Sequence, residues 1–319
     1  MKYCIGVDLG GTNIAAGVIE LETRRIVVKG SVKTRAPRPC AEISQDIGDL
    51  CKDLASRAGV SMSELCWIGV ATPGIVADGV VLSASNLKWE NAPLGDLVAS
   101  CTGVPVYVAN DANVAAYAEA KWGSGEGASS LVAFTLGTGV GGGIVIGGKI
   151  WEGVNGFAAE MGHMIIRPGG RRCGCGNCGC LEAYSSATAL VADSRLAAAE
   201  HPDSVMNKAV NGDVSRINAI IPFRAAEQGD PVAAEVIDTF ISNLAIGIAN
   251  IINVFQPEVV CIGGGISAEG EKLLAPLRNK VFEIAFGPEG SRTRIETAAF
   301  MNDAGIIGSA LLGLQEGIL

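Results

Sequence analysis

Two stretches decide the reading of this chain: IGVDLGGTNIAAGVI at residues 5–19 and VAFTLGTGVGGGIVI at residues 132–146. Each is an apolar, β-prone run, then Leu-Gly, a turn of small residues, and a second apolar run. Outward from the first, strands are predicted at 3–9, 14–20 and 26–32. Residues 41–58 set Ile43, Ile47, Leu50 and Leu54 at helical spacing, with Gly59 as the stop. A buried strand at 65–71, a short helix at 94–101, a strand at 106–109 and a helix at 111–122 complete the first half. Outward from the second stretch, 131–136 and 142–146 form a hairpin and 149–151 starts a third strand, before a long insertion and several helices. One of these runs from Asp230 to Phe255, opens on Asp230-Pro231, and carries Phe240, Ile241, Leu244, Ile248, Ile251, Ile252 and Phe255 on one face. A strand at 259–262, a helix at 267–286, a strand at 294–299 and a last helix from about residue 302 follow. Matching order and matching turns predict a duplicated α/β unit, two lobes facing each other across a cleft with one glycine turn on each wall.

Composition agrees with two buried cores. The 319 residues suit roughly two domains, 49% are hydrophobic, and only 18% are charged, which excludes wholesale disorder. A net charge of −9 has the wrong sign for coating nucleic acid but leaves room for a local basic pocket. The sequence reaches Asp8 and a glycine pair before a signal-peptide core could form. The longest uncharged stretches, 131–148 and 239–257, are broken by Gly and Thr or by Ser and Asn and do not read as membrane spans. The expectation is a soluble cytoplasmic protein without membrane or nucleic-acid partners. Of ten cysteines, four (Cys173, Cys175, Cys178, Cys180) fall within eight residues, and the scattered others are expected as reduced core residues.

A turn of Gly and Thr at a strand end exposes backbone N–H groups with no side chain in front, which suits phosphate oxygens. DLGGTN at 8–13 adds the carboxylate of Asp8 close to where Mg²⁺ would sit among phosphates. LGTGVGGG at 136–143 supplies a second such turn, and IGGGIS at 262–267 joins a strand to a helix start, whose dipole favours negative charge. Singly, each is equally a tight hairpin that needs Gly. GTGVGG at 137–142 fits a literal G-x-G-x-x-G, but a strand follows it, and no G-x-x-x-x-G-K-[ST] occurs. Three turns in register within a duplicated fold point to a nucleotide.

Asn110 and Asp111 lie between a strand and a helix, where one of them is an N-cap. The carboxyl end of a strand is also where α/β sheets bind ligands. Phosphoryl transfer to an alcohol needs a carboxylate there to accept the hydroxyl proton, and Asp111 can serve. The insertion reads EMGH at 160–163 and CGCGNCGCLE at 173–182, so His163 and four cysteines offer the N and S ligands of a tetrahedral Zn²⁺. Five candidates compete for four places, and spacing alone does not select them. Four protein ligands leave no open position, which makes the metal structural. Glu160 and Glu182 at the ends of the stiffened loop, with the imidazole, suit recognition of several hydroxyls.

These residues together resemble the ROK family (repressors, open reading frames and kinases), and within it the bacterial ATP-dependent glucokinases. DLGGTN, TPG at 72–74, NDAN at 110–113, LGTGVGGG, EMGH, CGCGNCGCLE and IGGG occur in family order over essentially the whole chain. The resemblance implies an actin-like, hexokinase-type, ribonuclease H-like ATPase fold that phosphorylates a hexose 6-hydroxyl, glucose first, with ATP and Mg²⁺. It makes Asp111 the general base and places Asn110, Glu160, His163 and Glu182 on the other sugar hydroxyls, with Gly74 and Ser85 nearby. The implied zinc ligands are His163, Cys173, Cys175 and Cys180, with the second ring nitrogen of His163 left for the sugar. Asp8, Gly11, Thr12, Gly137, Thr138 and Gly139 handle phosphates and Mg²⁺, and Gly263, Gly264 and Gly265 lie near the adenosine. Asn13 stands where many relatives carry Lys. The resemblance also implies a homodimer.

The expected lobes are 1–122 joined by a C-terminal helix 302–319, and 123–301 with the zinc-binding insertion 152–184; glycine-rich connections near 123–127 are candidate hinges. The other readings are a kinase for N-acetylglucosamine, N-acetylmannosamine, mannose or fructose, a sugar-responsive repressor, and a polymerising actin-like ATPase. The repressor reading expects a DNA-binding segment ahead of the first turn, which here begins at Asp8. The filament reading gives no reason for the zinc loop.

Overall fold

The fold is that of a computed structural model, which describes residues 2–287, 292–315 and 317. In chain order the elements begin with β1 (Tyr3–Leu9), β2 (Asn13–Glu20), β3 (Arg25–Lys33), α1 (Cys40–Ala58) and β4 (Leu65–Thr72). Next come β5 (Ile75–Ala77), β6 (Val80–Ala84), β7 (Trp89–Ala92), α2 (Leu94–Thr102), β8 (Val106–Asn110) and α3 (Asp111–Trp122). The second half holds β9 (Ser130–Leu136), β10 (Val140–Ile146), β11 (Lys149–Ile150), α4 (Glu182–Ser185), α5 (Ala187–Glu200), α6 (Val205–Ala209) and α7 (Ile221–Glu227). Last are α8 (Pro231–Phe255), β12 (Val259–Gly263), α9 (Glu271–Ile284), β13 (Arg294–Thr297), α10 (Ala304–Ala310) and α11 (Leu312–Gln315).

The duplication is written in the topology. One five-stranded sheet has the order β3-β2-β1-β4-β8 and the other β11-β10-β9-β12-β13, the same arrangement of first to fifth strand. In the first sheet β1 pairs antiparallel with β2 and parallel with β4. By contacts the chain divides into two compact units: Met1–Leu131 with Gly143–Ala159 and Ala299–Leu319, and Val132–Gly142 with Glu160–Ala298.

In the first unit, β1 is buried through Cys4, Ile5, Val7 and Leu9, as a central strand covered on both faces must be. One cover is α1, whose Ile43, Ile47, Leu50 and Leu54 are buried and whose stop, Gly59, takes the left-handed conformation (φ 70°). Another is α10. Gly6 and Gly69 are partners in the β1–β4 register, and a Cβ at either would lie 1.8 Å from Ile306 O or 1.7 Å from Ser309 O. Only a bare backbone lets the helix lie this close, and Trp67 Nε1 fixes it by donating to Ala310 O at 2.8 Å.

In the second unit, α8 buries Phe240, Ile241, Leu244, Ile248, Ile251 and Ile252, while Phe255 at its end is 41% exposed. Asp230 caps it, accepting from the Val232 N–H and also from Ser204 Oγ and the Val205 N–H, which ties α6 to its start. Among the described residues α8 is the one helix long and apolar enough to cross a membrane, and half of its most apolar window is buried.

Two expectations are corrected and one sheet is added. The helix placed at 267–286 spans Glu271–Ile284, because Gly265–Glu269 forms a 3-10 turn that ends on Gly270. Residues 75–92 fold into a three-stranded sheet β5-β6-β7 that was not anticipated. Asp78-Gly79 joins β5 to β6 with both φ angles positive (49° and 77°), the two-residue hairpin favoured by strand twist. The expected last helix is a 3-10 turn followed by α10 and α11; its positions 316, 318 and 319 lie outside the described residues. No disulfide joins the ten cysteines, and of the six scattered ones Cys4, Cys51 and Cys261 are buried while Cys40, Cys66 and Cys101 are partly exposed.

Candidate active site

The first glycine turn is held from β3. Thr34, fully buried, donates its N–H to Thr12 O at 3.0 Å and its Oγ1 to Gly10 O at 2.6 Å, and Gly10 N–H donates to Asn13 O at 2.9 Å. With the carbonyls occupied, the N–H groups of Gly11 and Thr12 have no acceptor among the described residues, the arrangement an anion requires. Asp8 sits one residue before the turn's Leu9 with its carboxyl against Gly305, where a Cβ would lie 2.6 Å from Cγ. Burial raises the Asp8 carboxyl above the usual range. Lys33 Nζ donates to Asn13 Oδ1 at 2.9 Å, so the cation at this turn comes from the neighbouring strand.

The second turn is held from α4 and α5. Ala187 N–H donates to Gly137 O at 2.8 Å, Thr188 Oγ1 to Thr138 O at 2.7 Å, and Gly137 N–H to Gly139 O at 3.0 Å. Val140 N–H donates to Glu182 Oε2 at 2.9 Å. Again two successive N–H groups, of Thr138 and Gly139, have no acceptor among the described residues. The third turn abuts the second, since a Cβ on Gly264 would lie 2.3 Å from Leu136 O. A 3-10 turn at Gly265, rather than an α-helix, follows it, so no long-helix dipole is aimed at this point.

Asn110 is the N-cap of α3: its Oδ1 accepts from the Ala112 and Asn113 N–H groups at 2.9 and 3.2 Å, and its Nδ2 donates to Gly74 O at 2.9 Å. One side chain thus joins TPG to NDAN. Asp111 is the first residue of α3 and is exposed; its Oδ1 accepts from Ala112 N–H at 2.8 Å. Ser85 lies exposed after β6, and among the described residues no hydrogen bond joins it to Asn110 or Asp111.

His163, Cys173, Cys175 and Cys180 place their ligand atoms within 4.8 Å of one another, and Cys178 stands outside the set. Cys173 Sγ is 3.7 Å from His163 Nδ1, and Cys175 Sγ is 3.7 Å from Cys180 Sγ. A tetrahedron with metal–sulfur bonds of about 2.3 Å has edges of roughly 3.8 Å, so the donors already stand at metal-binding separations. Burial raises the thiols of Cys173 and Cys180, the latter to about 12, while the Asn177 N–H draws Cys175 below the usual range. His163 turns Nδ1 to the sulfurs and Nε2 toward Glu160, 3.9 Å from its Oε2. Glu182 reaches back to the cluster as well, with Oε1 3.6 Å from Cys173 Sγ. A cavity of about 450 Å³ opens beside these groups, lined by Thr138, Arg171, Arg172, Glu182, Ser186 and Thr188.

The expected residues therefore fall on both units. Asp8, Gly11, Thr12, Gly74, Ser85, Asn110 and Asp111 belong to the first, and the rest to the second. Sequence reasoning missed Thr34, Gly162, Arg172 and Thr188. Arg172 carried a signal as part of an Arg pair beside the cysteine loop in an acidic chain, and Gly162 as part of EMGH.

Comparison with known proteins matches residues 4–316 to the ROK family model. Glucokinase from Halalkalibacterium halodurans is 37% identical over 99% of this chain and 96% of its own length. The crystal structure of a ROK family glucokinase from Streptomyces griseus in complex with glucose and AMPPNP superimposes with a TM-score of 0.79 at 37% identity, covering 97% of this chain and 98% of that one. The xylose repressor of Caldicellulosiruptor bescii is 31% identical over 98% of this chain and 78% of its own length. The chain belongs to the ROK family and has the actin-like ATPase fold of its sugar kinases.

Proposed function

We propose that this protein transfers the γ-phosphoryl group of ATP to the 6-hydroxyl of a hexose, with glucose the preferred acceptor. The observation that carries the reading is the pair of duplicated turns whose carbonyls are tied back, leaving two successive N–H groups on each for phosphate oxygens. Asp111 accepts the hydroxyl proton as that oxygen attacks phosphorus; its place at the carboxyl end of β8 and its hydrogen bond from Ala112 N–H support the role. Asn110, Glu160, His163 and Glu182 take the remaining hydroxyls, with His163 offering Nε2 because Nδ1 faces the thiols. Gly74 and Ser85 border the sugar, and Gly263, Gly264 and Gly265 border the adenosine. Near-full-length similarity to glucokinases supports glucose as the acceptor.

The Cys₃His donor set and its separations fit Zn²⁺, which His163, Cys173, Cys175 and Cys180 would hold as a closed structural site. Asp8 would face the Mg²⁺ that accompanies ATP, and that ion would neutralise charge on the transferring phosphate. The net charge of −9 and the reduced cysteines support a cytoplasmic enzyme, a homodimer by family, with small-molecule partners alone.

An enzyme-linked ADP-release assay over glucose, mannose, fructose, N-acetylglucosamine and N-acetylmannosamine tests the reading. Glucose should give the highest kcat/KM. Asp111→Asn should lower kcat by roughly 10²–10⁴-fold while leaving sugar affinity largely intact. Undiminished turnover in that variant would remove Asp111 from its role.

A further inference from the structure

Val140 closes the second glycine turn, and its N–H and its carbonyl each meet one of the two motifs that supply the cysteine–histidine cluster. On one side Glu182, two residues after Cys180, accepts the Val140 N–H at 2.9 Å. On the other, Gly162, next to His163, lies so close that a Cβ would stand 2.1 Å from Val140 O. The Glu182 carboxylate also lies over Gly139, where a Cβ would be 2.2 Å from Oε2, and its other oxygen is 3.6 Å from Cys173 Sγ. The loop that carries Glu182 is itself tethered, with Leu181 N–H donating to Met164 O at 2.8 Å. The contacts of this carboxylate are thus to the turn and to the cluster.

We propose that Glu182 is a positioning residue for the nucleotide: it holds the Val140 N–H while Gly162 packs on the Val140 carbonyl, so the order of the cysteine loop is transmitted to the Thr138 and Gly139 N–H groups that receive phosphate. This rests on the reading of that turn as a phosphate site. It differs from a role on the sugar because it acts before any sugar is present. A charged acceptor holds a backbone N–H more firmly than a neutral one, but an amide oxygen can still accept it, so Gln should restore most of what Ala loses.

The test is calorimetric binding of Mg-AMPPNP to the full chain without sugar. Glu182→Ala should weaken binding roughly tenfold, and Glu182→Gln should recover most of the loss. Gly162→Ala should weaken binding to a similar degree while its zinc content, measured by elemental analysis, stays at the wild-type value. Wild-type protein stripped of zinc, with the chelator exchanged away before Mg-AMPPNP is added, should bind as weakly as Glu182→Ala, and the same treatment of Glu182→Ala should add little. Unchanged affinity in Glu182→Ala would confine the residue to the sugar and overturn the proposal. Tighter binding in both Glu182 variants would show that charge repulsion governs instead, and independent, multiplying losses from zinc removal and Glu182→Ala would break the link between loop and turn. A wild-type protein that fails to bind Mg-AMPPNP would instead remove the phosphate reading itself.

Discussion

At the first glycine turn a single residue, Thr34, holds the carbonyls of both Gly10 and Thr12 from 24 or fewer residues away. At the second, Ala187 and Thr188 hold the carbonyls of Gly137 and Thr138 from 50 residues away, and Glu182 accepts the Val140 N–H from 42 away, beyond the cysteine loop. The two turns share the pattern of strand, Leu-Gly, small residues and strand, and the N–H pairs they present are alike. What differs is the length of chain that must be ordered first. A buttress one strand away comes with the sheet, whereas a buttress beyond an insertion rich in Gly needs that insertion stiffened. The two copies present the same backbone groups and differ in how they are held, the second from residues beyond the cysteine–histidine cluster.

The sharpest way to break this comparison is to remove the cluster. Cys175→Ser, or removal of the metal from the intact protein, should weaken nucleotide binding roughly tenfold, as Glu182→Ala does. Hydrogen exchange should rise at 137–140 and stay unchanged at 10–12; equal loosening at both turns would refute the difference. The counterpart is Thr34→Val, which removes the Oγ1 bond to Gly10 O and keeps the N–H bond to Thr12 O. It should lower stability by about 1 kcal/mol and nucleotide affinity about fivefold, in an effect that metal removal does not change.

Asp8 sharpens the comparison through pH, because the second turn has Thr135 at the corresponding strand position. Burial raises the Asp8 carboxyl, so the folded protein binds its proton more tightly than the unfolded chain. The stability this confers is complete below the unfolded value of about 3.9 and is lost as pH rises through the folded value. Asp8→Asn should therefore raise the Tm of the ligand-free protein at neutral pH relative to wild type, with the gap closing in acid. A gap that widens in acid would contradict the shift. The smallest effect is expected at Lys33, whose bond to Asn13 is exposed. Lys33→Ala should leave Tm unchanged and weaken Mg-ATP binding by less than about threefold at physiological salt.

Much of the fold was legible because its signals are local. The spacing of Ile43, Ile47, Leu50 and Leu54, the Asp230-Pro231 start and the paired Leu-Gly turns each report on a few adjacent residues. Residues 75–92 were not resolved into strands, because three short runs with exposed positions show little alternation, although Asp78-Gly79 offered a hairpin signal. The four candidate metal ligands that the resemblance selected are the four whose donor atoms the structure brings together, a selection that spacing could not make with Cys178 in the same run. Thr34 and Thr188 were illegible because each acts on a residue far along the chain, and nothing in a Thr announces which distant carbonyl it will meet.

The most direct test of the central claim is ³¹P NMR of the product formed from ATP and glucose by the wild-type protein. A phosphate monoester on carbon 6 of the sugar, accumulating in step with ADP and roughly 10²–10⁴-fold more slowly with Asp111→Asn, is the predicted result. ADP accompanied by orthophosphate alone, or a phosphate on another carbon, would contradict it.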